Sequence, residues 1–131
     1  MQIRKILLFF ALAILTILTA CSPSAGGENQ NSSSYTATMQ VLPDPPLVGD
    51  VLLYFTVLDA KGDPITGATV EVGADHTDMS GMGMHGPATD QGKGIYAITT
   101  NFSMTGNWKI SLKVINGSTE FDKDFDLVVQ E

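Results

Sequence analysis

A single cysteine, Cys21, leaves this chain without an intramolecular disulfide. Histidine is almost as scarce: two in 131 residues, His76 and His85. Basic residues are few, seven Lys and Arg against fourteen Asp and Glu. Arg4 and Lys5 lie before Cys21 and every acid lies after it, so the chain beyond Cys21 holds five basic against fourteen acidic residues, a net charge of −9. An acidic surface of that size argues against nucleic acid and against electrostatic attachment to anionic lipid. No segment after Cys21 carries a helical period. A glycine-rich phosphate loop, a cysteine nucleophile and a serine in an elbow context are also missing, so a non-catalytic protein is expected.

The N-terminus is rich where the rest is poor. Arg4 and Lys5 precede an apolar run from Ile6 to Leu18, and Leu18-Thr19-Ala20 puts small residues before Cys21. A basic start, a short apolar core and a small-residue cleavage point define a secretory signal over residues 1–20. The apolar run is short for a membrane span, which needs about 20 residues. Leu18-Thr19-Ala20-Cys21 resembles a bacterial lipobox, which implies cleavage before Cys21 and acylation there, palmitate included. Several acyl chains on one residue anchor a protein durably to a membrane. That puts the protein on the extracytoplasmic side of the cell membrane. Residues 21–34 then form a lipidated cysteine and a flexible tether rich in Ser, Asn, Gly and Gln.

Residues 35–131 suit one domain of short alternating strands. Tyr35, Ala37, Met39 and Val41 alternate with polar residues, and Met39 belongs to the core. Pro43-Asp44-Pro45-Pro46 ends that strand, because proline cannot bond in a ladder. Val51 to Leu58 is apolar on both parities and so central. Further strands are expected at Ala68–Gly73, Ala88–Asp90 and Ile95–Thr100. Trp108, Ile110, Leu112 and Val114 alternate strictly, Asn116-Gly117 marks a hairpin, and Phe121, Phe125, Leu127 and Val129 share a face. Glu120, Asp122, Asp124 and Asp126 take the opposite, solvated face. The pattern predicts an all-β, immunoglobulin-like sandwich of seven antiparallel strands.

One segment fits none of these strands. His76-Thr77-Asp78-Met79-Ser80-Gly81-Met82-Gly83-Met84-His85 gathers both histidines and three of the six methionines. Glycines and a serine separate the sulfurs, which predicts a mobile loop instead of a strand. Thioethers select Cu(I), while imidazole serves Cu(I), Cu(II) and Zn(II). For Cu(I) the expected ligands are His76, Met82, Met84 and His85, with Met79 as an alternate. Cu(II) would draw on both imidazoles with Asp75 or Asp78. Met104 completes the site if its corner shares an end of the sandwich with the loop; otherwise it packs under Trp108. A zinc hydrolase needs three ligands and an open position, and no general base is apparent beside these residues.

Two stretches resemble known families. Asp59-Ala60-Lys61-Gly62-Asp63-Pro64-Ile65-Thr66-Gly67-Ala68-Thr69-Val70 resembles a turn-and-strand pattern of bacterial extracellular immunoglobulin-like modules. Gly94-Ile95-Tyr96, followed by Phe102-Ser103-Met104-Thr105-Gly106-Asn107-Trp108 after a His/Met loop, is similar to the YtkA-like domain family. The likeness covers roughly Tyr35 to Val129. That family looks related to the FixH-type and CopC-type sandwiches of copper handling. The resemblance implies an exported, membrane-tethered β-sandwich with a copper role, here with the same donor types in a different order. The expected function is a Cu(I) chaperone or resistance factor that passes copper to a membrane oxidase or a copper transporter. The alternative is an interaction module that displays a methionine-rich loop to a protein partner. Metal dependence of partner binding separates the two.

Overall fold

Period-two alternation becomes strand wherever β-branched and aromatic residues carry it. A computed structural model describes residues 35–131; the expected signal segment, the expected lipidation at Cys21 and the expected tether lie outside the described residues. Eight strands follow in order: β1 (Thr36–Leu42), β2 (Gly49–Leu58), β3 (Thr69–His76), β4 (Gly83–Pro87), β5 (Thr89–Gly92), β6 (Ile95–Phe102), β7 (Gly106–Asn116) and β8 (Thr119–Val129). They form two antiparallel sheets, β1-β2-β6-β5 and β4-β3-β7-β8. This is the immunoglobulin constant-type arrangement with one strand added beside the third.

The added strand corrects the expected count of seven. β3 runs on to His76, and β4 takes up Met84 and His85, so the segment expected as a loop is a hairpin with only its tip, residues 77–82, outside the ladder. Cross-strand bonding to β3 outweighs the weak strand propensity of Gly83, Gly86 and Pro87. Proline is tolerated because β4 is an edge strand.

Alternation decides the core. Val51, Leu53, Phe55 and Val57 of β2 face Val70, Val72 and Ala74 of β3 and Trp108, Ile110, Leu112 and Val114 of β7, all buried. Each fully buried side chain of this size contributes about 1.5–3 kcal/mol. Met39 packs against this core, as its parity predicts. Glu120, Asp122, Asp124 and Asp126 are exposed along β8.

The long β2–β3 connection is pinned by two side chains. Tyr96 Oη donates to the Ile65 carbonyl at 2.9 Å and accepts from the Ala68 amide at 3.1 Å. Tyr96→Phe leaves both buried backbone groups without that partner, and a loss of about 1–3 kcal/mol is expected in urea unfolding. Asp90 accepts the Gly67 amide at 2.7 Å and the Gly92 amide at 2.6 Å. These bonds, Gly67 first, hold its carboxyl below its ordinary value of 3.8. A depressed carboxyl stabilises the fold above 3.8, and the contribution disappears as pH falls through the lower folded value. Thermal unfolding of wild type should therefore fall more steeply below pH 4 than that of Asp90→Asn.

The registers also define two ends. At the near end, Tyr35 sits edge-on to Phe121 with ring centroids 6.1 Å apart, and its hydroxyl receives the Asn116 amide. At the far end lie the last residues of β1, β3, β6 and β8 and the first of β2 and β7. There the Val48 amide donates to Gln130 and the Gln130 amide to Pro46, both at 2.9 Å.

Candidate metal centre

His76 closes β3 at the far end, paired with Trp108 of β7 and pointing into the sandwich. It is only 9% exposed. Its ring meets Trp108 edge to face at 5.1 Å, and Trp108 in turn meets Phe102 at 4.9 Å. Nδ1 accepts the Asp78 amide at 3.3 Å, so Nε2 carries the proton and donates to the Thr105 carbonyl at 3.2 Å. The two bonds differ in strength of setting. Thr105 belongs to the β6–β7 corner, whereas Asp78 is in the hairpin tip, whose other internal bond, Met79 amide to His76 carbonyl, is long at 3.4 Å. Thr77 anchors the base of the tip, its amide and hydroxyl both donating to the Asn107 carbonyl at 2.9 and 3.1 Å.

The methionines divide by parity. Met84 pairs with Ala74, points inward and packs against the core, half-buried. It is a diagonal neighbour of His76, a relation that puts Cα atoms about 7–8 Å apart and within reach of long side chains. Met82 adjoins Gly83, whose pairing with Asp75 ends the ladder one residue short of His76. Met82 and Met79 are both exposed on the tip. Met104 is half-buried against the core, and its carbonyl accepts Trp108 Nε1–H at 3.3 Å. Thr105 joins that corner to His76, so Met104 does share an end with the hairpin.

His85 does not join them. It pairs with Gly73 and faces the outer surface, its ring lying where a Gly73 Cβ would come within 2.7 Å of Nδ1. There it lines a shallow trough of about 590 Å³ with Glu71, Ser111, Lys113 and Asp122. Asp75 lies on the same outer face, its carboxylate over Gly83. The expected pair of imidazoles is therefore split across a sheet. Among the described residues no three His, Cys, Asp or Glu side chains form a metal-holding group. The far end instead carries one imidazole, His76, and the thioethers of Met79, Met82, Met84 and Met104.

The surroundings of His76 give the Phe-x-Met-x-Gly-x-Trp stretch its meaning. Trp108, backed by Phe102, walls the ring, and Gly106 leaves it room: with φ +124°, a Cβ at Gly106 would fall 2.7 Å from His76 Nε2. Gly106 and the Thr105 carbonyl are site residues that ligand chemistry alone does not reveal. The motif spacing carried them without saying what they touch.

A family model described as YtkA-like matches residues 29–113. No curated protein matches the chain in sequence. Among solved structures, FdeC, an adhesin of Escherichia coli, is similar at 26% identity with a TM-score of 0.54, over 72% of this chain and 32% of that one. The chain thus spans about a third of the adhesin's length. The soluble domain of PmoD from Methylocystis sp. ATCC 49242 (Rockwell) is a looser likeness, at 17% identity and a TM-score of 0.47, over 72% of this chain and 90% of that one.

Proposed function

The chain belongs to the YtkA-like family, and from that membership and the donors at the far end we propose that it is an extracytoplasmic copper-binding protein. The cargo is Cu(I), the ion that thioethers prefer. The observation that carries this reading is the state of His76. Its Nε2–H is held by the Thr105 carbonyl and its Nδ1 is turned toward the tip. A backbone carbonyl on the remote N–H is what orients metal-bound imidazoles and raises their basicity.

Nδ1 is then the ligand atom, freed when the tip yields the Asp78 amide. Met82, Met84 and Met104 supply sulfur, and Met79, further out, serves during exchange. His85 takes no part in this centre. Donors on a weakly bonded tip suit a protein that must surrender its ion. The recipient is a membrane oxidase or a copper transporter, reached from an anchor at Cys21, and the role is carriage or resistance without catalysis.

The test is a Cu(I) competition titration of the full chain against a chromogenic chelator. The parallel sample carries His76→Ala with Met82, Met84 and Met104 changed to Ser. Tight one-to-one binding in the wild type, lost in the variant, is the expected result. Equal and weak binding in both overturns the proposal.

A further inference from the structure

Six large hydrophobic side chains are exposed among the described residues, and all six lie at the far end. They are Leu42, Leu47, Val48, Met79, Met82 and Val128, between 37% and 56% exposed. Single exposed apolar residues are ordinary on a protein surface; their confinement to one end is not.

Backbone contacts link them across that end. Thr77, at the base of the tip that carries Met79 and Met82, bonds Asn107. Asn107 is paired with Val128. Gln130, two residues on, bonds Val48 and bridges Leu47. Leu42 closes β1 just before the same connection.

The border of this surface is mainly acidic. Asp44, Asp50, Asp78 and Glu131 are exposed around it. Lys61 lies in the β2–β3 connection and Lys93 in the β5–β6 turn, both at the near end. Lys109, on the same outer face as Val128, is ion-paired with Asp124, and Lys113 further along that face with Glu120. An apolar centre inside an acidic border is complementary to an apolar patch bordered by Lys and Arg.

We infer that the far end is a docking surface for a partner protein that presents an apolar patch ringed by basic residues. A second copy of this chain would bring acidic border against acidic border. An anionic lipid surface would be repelled likewise, and Tyr35, where the described residues begin, lies at the opposite end. The inference stands apart from the copper reading, since it needs only the apolar centre and the acidic border.

The experiment uses metal-free full chain in phosphatidylcholine nanodiscs, with Leu, Val and Met methyls labelled for NMR. The probe is an amphipathic helical peptide of leucine and lysine, with a leucine–glutamate peptide of equal apolarity beside it. Methyl shifts confined to Leu47, Val48, Met79, Met82 and Val128 are expected with the lysine peptide. Affinity should fall at least tenfold in Leu47→Ser/Val128→Ser, and severalfold in Asp44→Asn/Asp78→Asn. Equal binding of both peptides, shifts elsewhere, or no binding would overturn the inference. So would preferential occupation of the same methyls by phosphatidylglycerol vesicles or by a second copy at higher concentration. Because copper is absent, failure here leaves the copper titration untouched, and failure there leaves this result standing.

Discussion

His76→Ala is expected to weaken Cu(I) binding about a hundredfold, equivalent to about 2.7 kcal/mol, while His85→Ala changes it by less than about threefold. The two residues are the chain's only histidines and sit nine positions apart, so composition alone would assign them equal weight. Register separates them. His76 pairs with Trp108 and turns inward; His85 pairs with Gly73 and turns outward. Only the first has its remote N–H held by a carbonyl and a thioether, that of Met84, on its own face. Chelator competition on the two single variants reads the difference directly. Equal losses would mean that copper bridges the hairpin edge and that the far-end centre is wrong. A larger loss from His85→Ala would move the site to the outer trough.

Gly106→Ala is expected to lower stability by about 2 kcal/mol or more, because a left-handed backbone alone costs about 1–3 kcal/mol for a side chain. For a domain of this size that is a fall in Tm of roughly 10 °C. Strain is one part of the effect. The new methyl would also stand 2.7 Å from His76 Nε2, and the ring, walled by Trp108, has little room to retreat. The hydrogen bond to Thr105 is lost with it. A double-mutant cycle separates the parts. In a His76→Ala background the collision vanishes, so Gly106→Ala should cost less there than in wild type. Additive losses would mean that Gly106 is needed for its φ alone. Cu(I) affinity of Gly106→Ala should drop as well, since the imidazole no longer presents Nδ1 to the tip.

Much of this was legible in the sequence, and the failures are local. Trp108 to Val114 reads as a half-buried strand because every second residue is apolar, and it is one. Val51 to Leu58, apolar on both parities, is central as expected. β4 was not legible, because Gly83, Gly86 and Pro87 have low strand propensity and only pairing with β3 makes them a strand. That pairing also fixes what composition cannot. The His/Met segment announces its donors, but a one-residue shift of the β3–β4 register would turn His85 inward and Met84 outward. Tip geometry decides the register, and no residue type in the tip states it. Gly106 was visible as part of a motif; its use as space for a ring depends on a contact thirty positions away in sequence.

The short strand that carries Met84 also stands guard over an open sheet edge. A long, flat, β-branched edge recruits other chains, and native proteins blunt such edges with brevity, proline and glycine. β4 has five residues, two glycines and Pro87. An engineer who stiffened this hairpin with valine and threonine to fix the donors would build a better strand and, with it, a template for aggregation. Loose construction at this edge thus protects solubility for the same reason that it keeps the hairpin yielding.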